Sequence, residues 1–283
     1  MVGGLRQTDP VNTRIRLPDR SPRLFATDLD GTVIQDNGVI SDRTVAALAR
    51  VERAGAVLLF VTGRPPRWLP AVAEVTGHHG LAVCANGALL YDLRTDRIQE
   101  LALLDPDRIR QIVTVLRAKL PETVFACEYG NELLHETGYR IRWDIGQPNV
   151  RVVAEEDFYA RPAAKLLVRH DSLDSDTFLR IGRELAGGLA EFTHSSSDGL
   201  LEISAAGVSK ASALAAFCAE RSIESAEVAA VGDMPNDLPM LAWAGTGYAV
   251  GNAHHEVLAA VDNHLPGIAE DGVAQLLELL FPE

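Results

Sequence analysis

The stretch AVLLFVTGR, residues 56–64, constrains the fold more than any other. Six apolar residues in a row, β-branched and aromatic ones among them, read as a strand buried on both faces. Such strands belong to parallel sheets covered by helices on each side. The run stops abruptly at Thr62-Gly63-Arg64, and the same construction recurs along the chain. LFAT stops at Asp28, LAVCANGA at Asn86-Gly87, EVAAVGD at Asp233 and TGYAVGN at Gly251-Asn252. Helical patterns stand between these runs, one capped by Ser41 and ending near Arg53, another covering Trp68 to Val75. This alternation predicts an α/β chain with a Rossmann-like parallel sheet. In open sheets of that type, ligands bind beyond the carboxyl ends of the strands. Asp28, Thr62, Asn86 and Asp233 are therefore expected on one edge, although the chain separates them widely.

The middle of the chain reads differently. Asp105-Pro106 opens a helix with Ile109, Ile112, Val113 and Leu116 on one face. TVFACEYG and AKLLVRH read as strands, LDSDTFLRIGRELAGGL as a helix, and GLLEIS as a strand returning to the core. Residues 89–195 are thus expected to form an inserted α/β cap, and 23–88 with 196–283 a discontinuous core. Residues 1–22 carry Pro10, Pro18 and Pro22 without periodicity and are expected to be a mobile tail.

Charge and composition exclude several function classes. With 26 Lys and Arg against 39 Asp and Glu, the net charge is −13, the wrong balance for a general nucleic-acid binder or a ligand of anionic membranes. No stretch approaches the ~18 apolar residues of a membrane span, and the N-terminal residues lack the apolar segment of a secretion signal. Cys84, Cys127 and Cys218 form no metal-ligand spacing and no disulfide framework, in keeping with a cytoplasmic protein.

Four motifs carry the chemistry. In Asp28-Leu29-Asp30-Gly31-Thr32 two carboxylates follow a buried strand. Such a pair suits a nucleophile, which splits hydrolysis into two easier steps, beside a proton-transfer group. A simple turn uses the same residue types. Thr62 and Gly63 offer a hydroxyl and a backbone N–H that can approach a phosphate closely. Lys210 begins a helix, where its charge opposes the macrodipole, a misfit that suggests a separate task such as neutralising phosphate. Gly232-Asp233-Met234-Pro235-Asn236-Asp237 supplies hard oxygen ligands of the kind Mg²⁺ takes. A capped helix start accounts for Asp233 and Pro235 but leaves Asn236 and Asp237 unexplained. Gly245-Thr246-Gly247…Gly251 has the wrong spacing and place for a dinucleotide fingerprint. The pairs His78-His79 and His254-His255 lack the i,i+4 geometry of helix metal ligands.

Taken in order, DLDGT (28–32), VTGR (61–64), NGA (86–88), LEIS…GVSK (201–210), GDMPNDLPML (232–241) and EDGVA (270–274) resemble the haloacid dehalogenase-like superfamily, in its Cof-type branch. The resemblance spans nearly the whole chain from Leu24, within the insert by size and pattern alone. It implies an Mg²⁺-dependent phosphatase acting on a small phosphorylated metabolite through an aspartyl-phosphate. Asp28 is then nucleophile and metal ligand, and Asp30 the acid/base that lends its carbonyl to the metal. Thr62, Gly63 and Lys210 hold phosphate, Asn236 contacts or orients it, Asp233 ligates the metal, and Asp237 supports that site. Ala211 departs from the glycine common after the lysine, which removes no reacting group. A sugar phosphomutase of the same superfamily and a non-catalytic phosphate-binding regulator are the alternatives. The cap is expected to set substrate choice and the core the chemistry; Tyr129, Tyr139 and Trp143 serve in cap packing or as a substrate wall, and Glu128, Tyr129 and Trp143 are the candidate substrate contacts; the oligomeric state is unreadable.

Overall fold

The computed structural model of the chain describes residues 15–141, 144–196 and 198–283. Its strands are, in chain order, β1 (Leu24–Thr27), β2 (Val57–Val61), β3 (Leu81–Cys84), β4 (Leu89–Asp92), β5 (Arg97–Glu100), β6 (Val124–Tyr129), β7 (Glu132–His135), β8 (Val150–Val152), β9 (Lys165–Arg169), β10 (Glu191–Thr193), β11 (Leu200–Ser204), β12 (Val228–Gly232) and β13 (Thr246–Ala249). The helices are α1 (Asp42–Arg53), α2 (Pro70–Val75), α3 (Pro106–Lys119), α4 (Ser175–Ala186), α5 (Lys210–Glu220), α6 (Leu238–Trp243), α7 (His255–Ala260) and α8 (Gly272–Leu280).

The first sheet has the order β13-β12-β1-β2-β3-β4-β5. From β13 to β3 the pairing is parallel. The chain leaves β1 toward β2 and β3, and only much later fills the other side with β12 and β13. β1 and β12 thus flank the point where the strand order reverses, the place where open sheets bind ligands. The apolar run of β2 is buried from Leu58 to Val61, as its sequence dictates. Ser41 caps α1 by accepting the Thr44 N–H, and also donates to Asp271 at 2.6 Å, tying α1 to the start of α8.

The second sheet has the order β10-β11-β9-β6-β7-β8. Ile109, Ile112, Val113 and Leu116 of α3 are buried, as their spacing predicts, and pack with Phe178 of α4 over one face of that sheet. Tyr139, Leu133 and Leu167 cluster on a separate apolar patch with Leu200 and Ile141 against it.

Strand pairing moves both expected cap boundaries. After β3 the backbone reverses through Ala85, Asn86 and Gly87, all at positive φ. β4 and β5 then run antiparallel on the core sheet. GLLEIS does not return to the core: β11 pairs with β9 and β10 in the second sheet. An apolar run declares a buried strand but not its partner, which long-range packing selects. Residues 1–14 of the expected tail lie outside the described residues. Residues 15–22 are fastened: Ile15 packs on the core, the Tyr248 hydroxyl donates to the Arg16 carbonyl at 2.7 Å, and Ser21 donates to Leu280. No helix among the described residues is long and apolar enough to cross a membrane.

Leu59 is fully buried in the sheet, whereas Val152 on edge strand β8 is exposed. Leu59→Ala is expected to cost about 2–5 kcal/mol and Val152→Ala less than about 0.5 kcal/mol. Urea unfolding of both variants checks this; equal losses would contradict the assignment of the core.

Candidate active site

Asp28 directly follows β1 and Asp233 directly follows β12, so the two acids lie close together beyond neighbouring parallel strands. The Asp28 N–H continues the ladder to the Val231 carbonyl at 3.0 Å. Gly31 turns the chain at φ +77°. A Cβ there would lie 2.3 Å from Asp233 Oδ2, so only glycine lets the loop pass that carboxylate. Thr32 donates to Asp233 Oδ1 at 3.2 Å, and Asn252 anchors the loop through the Gly31 carbonyl at 2.8 Å.

Lys210 lies beneath this pair, fully buried at the first turn of α5. Its ammonium donates to Asp28 Oδ1 and to Asp237 Oδ1, both at 2.6 Å. Burial works against the ammonium, but Asp237 and Asp28 outweigh it and raise its pKa. The misfit with the helix dipole therefore has its reason in these two carboxylates. Asp237 is also fixed on its other oxygen, which accepts the N–H groups of Asp233 and Met234 at 3.0 Å.

Among the described residues Asp28, Asp233 and Asp237 bring one carboxylate oxygen each to within 4.8 Å of one another. Burial, Asp237 and Asp30 push Asp28 up to about 7 despite Lys210. Burial, with Asp28 and Asp237, likewise holds Asp233 well above the ordinary carboxyl range. A dry cluster of three carboxylates with one ammonium calls for another cation, and hard oxygens with room at Gly31 fit Mg²⁺. The Asp30 side chain stands apart from the cluster. It is 58% exposed and grips Arg64 through two hydrogen bonds of 2.7 and 2.5 Å. Arg64 is thus a site residue that the motif VTGR contained but its chemistry alone did not single out.

Thr62 is buried at the end of β2, and its hydroxyl accepts the Arg64 N–H at 3.0 Å. A Cβ on Gly63 would press against the Glu202 and Asn86 side chains at 3.2 and 3.3 Å, so the loop passes close to both. Asn236 donates to Asn86 Oδ1 at 3.3 Å, and its own Oδ1 is buried without a partner.

All of Asp28, Asp30, Thr62, Gly63, Lys210 and Asn236 line one cavity of about 710 Å³. Asp233 and Asp237 are not among its lining residues. The second sheet supplies the opposite wall: Leu133, Tyr139, Leu167 and Leu200 present apolar surface, and the Arg169 guanidinium lies over the Tyr139 ring. Of the expected substrate contacts, Glu128 is in the wall but is paired with Arg67. Tyr129 is elsewhere: its hydroxyl donates to Phe158 at 2.9 Å and its ring meets Arg161, on the helical side of the sheet. Alternation along β6 puts adjacent residues on opposite faces, so Glu128 and Tyr129 cannot both face the cavity. Trp143 lies outside the described residues.

Comparison with known proteins agrees with this architecture. The family model of the haloacid dehalogenase-like hydrolases matches residues 25–277. The chain is similar to a 5-amino-6-(5-phospho-D-ribitylamino)uracil phosphatase of Bacillus subtilis, at 28% identity over 93% of this chain and 97% of that protein. It is also similar to a pyridoxal phosphate phosphatase of Escherichia coli, at 27% identity over 90% and 97%. A solved phosphatase of the haloalkanoate superfamily from Bacteroides thetaiotaomicron shares the fold, with TM-score 0.76, 22% identity, and 95% and 99% coverage.

The raised carboxyl of Asp28 fixes a pH dependence. Its folded-state pKa of about 7 exceeds the ordinary 3.8, so folding favours the proton. In chelator the protein loses this contribution as pH rises from about 4 through about 7. Added Mg²⁺ is expected to raise the thermal midpoint more at about pH 8 than at about pH 5.5, where protons compete for Asp28. Melting curves with Mg²⁺ and with chelator test this; an equal Mg²⁺ effect at both values would contradict it, as would one unchanged by Asp233→Asn.

Proposed function

The chain belongs to the haloacid dehalogenase-like hydrolases as a phosphatase, and we propose that it hydrolyses monoesters of small phosphorylated metabolites through an aspartyl-phosphate on Asp28. The observation that carries this reading is the Asp28 carboxylate itself. It lines the same cavity as Thr62 and Gly63, is held by Lys210 and lies beside Asp233.

In the proposed sequence a carboxylate oxygen of Asp28 attacks phosphorus as the ester P–O bond breaks. Asp30 gives its proton to the departing alkoxide. Asp30 then takes a proton from water as that water attacks the acyl phosphate, releasing inorganic phosphate and restoring Asp28. Arg64 must release Asp30 for either proton transfer, and in doing so frees a guanidinium at the mouth of the cavity. Thr62, the Gly63 N–H and Lys210 hold and neutralise the phosphoryl oxygens, the main requirement of phosphoryl transfer. Bound at Asp28 and Asp233, with the Asp30 carbonyl, Mg²⁺ would supply the charge that lets two anions meet. Asp237 contributes indirectly, by fixing Lys210 and the backbone that carries Asp233.

The leaving group would rest on the opposite wall. Leu133, Leu167, Leu200 and Tyr139 suit a flat or apolar portion, and Arg169 suits an acceptor at its edge. The two relatives named for ring-bearing phosphate esters support a leaving group of that kind over a bare polyol.

Asp28→Asn keeps the size of the side chain and removes the nucleophile. Turnover of para-nitrophenyl phosphate is expected to fall by about a thousandfold or more, with an unchanged circular dichroism spectrum. Activity within about tenfold of wild type would sink the assignment.

A further inference from the structure

Every group assigned above to phosphate lies on the core built around the first sheet, in loops after its strands or at the start of α5, yet two of them are held from the second sheet. Strand β9 is buried along its whole length and begins with a lysine. The Lys165 side chain is almost wholly buried, in the wall of the same cavity as Glu202. It donates to the Gly63 carbonyl at 2.7 Å and pairs with Glu202 Oε2 at 2.8 Å. Glu202, on neighbouring β11, also accepts the side-chain amide of Asn86 at 2.6 Å and the Ser195 hydroxyl. Asn86 in turn accepts from Asn236.

The pair therefore touches the phosphate cradle at both ends. One arm ends on the peptide of Gly63, next to Thr62. The other runs through Asn86 to Asn236. The Asn86 N–H also donates to the Thr62 carbonyl at 3.0 Å, which joins the arms. Asn86 sits at φ +59° directly after Ala85 at φ +51°, a conformation that persists only when its surroundings hold it.

Stability alone is a poor reason for this arrangement. A buried ion pair gains little over apolar side chains of similar volume, because both charges lose their water. What a charged pair adds is direction: its hydrogen bonds are satisfied in one seating of the second sheet on the first. Arg67 fixes the same seating nearby, pairing with Glu128 and with Asp144 at 2.8 Å, while Trp68 donates to Asp144 at 2.6 Å.

We propose that Lys165 and Glu202 are positioning residues that complete the phosphate cradle when the cap is seated, by fixing Gly63 and the Asn86–Asn236 pair. The cap is then more than a specificity wall, because the chemical step depends on it whatever the leaving group. Closure that assembles a catalytic site commits the enzyme only when a ligand fills the cavity. The inference rests on the phosphatase reading above.

The test uses Lys165→Met/Glu202→Leu, which removes both charges together and leaves neither buried alone, and Asn86→Gly, which cuts the second arm while tolerating the left-handed backbone. kcat and KM are measured for para-nitrophenyl phosphate and pyridoxal phosphate, with inhibition by inorganic phosphate and the thermal midpoint. The expected result is a kcat lowered by about tenfold or more, by the same factor for both esters. Phosphate inhibition weakens, and the ratio of kcat/KM between the esters stays within about twofold. A merely structural role would shift the midpoint and leave kcat per folded enzyme intact. Wild-type kcat and phosphate inhibition in folded Asn86→Gly would overturn the proposal, as would an ester ratio changed by more than about tenfold, which would make the pair a leaving-group contact. If Asp28→Asn stays active, the phosphatase reading fails instead, whatever these variants do.

Discussion

The ammonium of Lys210 between Asp28 and Asp237 is the interaction on which the site depends. Three carboxylates share a nearly dry space, and at an effective dielectric of ~20 two charges ~4 Å apart interact by roughly 4 kcal/mol. The buried ammonium between Asp28 and Asp237 offsets that repulsion. Lys210 comes from α5, far along the chain, and its place at the first turn of that helix aims it at the strand ends. Asp237 repeats the economy: one oxygen holds the lysine, and the other closes the turn that carries Asp233. The same residues that stabilise the loop thus set the charge of the reacting centre.

That charge balance explains why the cavity needs walls. Hydrogen bonds and ion pairs act strongly only where water is excluded. The first sheet cannot exclude it alone, because its strand ends open on one edge. The second sheet closes that edge with an apolar wall at Leu133, Leu167 and Leu200, and polar contacts reach across at Lys165, Glu202, Glu128 and Asp144. These contacts fall on Gly63, Asn86, Arg67 and Trp68, all within or beside the loops after β2 and β3. Fold and chemistry meet in those two loops.

Much of this was legible in the sequence. The ends of apolar runs placed Asp28, Thr62, Asn86 and Asp233 on one edge, because period and strand length are local properties. Lys210 announced itself by opposing a helix dipole. The partners of strands were not legible. LLYD and RIQE could have begun a cap, and LLEIS could have joined the core, since nothing local distinguishes the two sheets. Arg64 was hidden as the last residue of a turn motif. Lys165 and Glu202 did carry a signal: Glu202 is the one charge in LLEIS, Lys165 opens the apolar run of KLLVR, and the two have opposite signs. Reading it required knowing that β9 and β11 are neighbours. Tyr129 was misplaced for a simpler reason, since adjacent strand residues face opposite ways and Glu128 already occupies the cavity side.

The account stands or falls on Asp28 as the group that becomes phosphorylated. Wild-type protein can be mixed rapidly with para-nitrophenyl phosphate and Mg²⁺, quenched in acid during the first turnover, and mapped by peptide mass. The account predicts one phosphoryl group, labile to hydroxylamine as an acyl phosphate is, on the peptide that carries Asp28. A phosphoryl group on any other residue, or turnover with no phosphorylated peptide at any quench time, would contradict it.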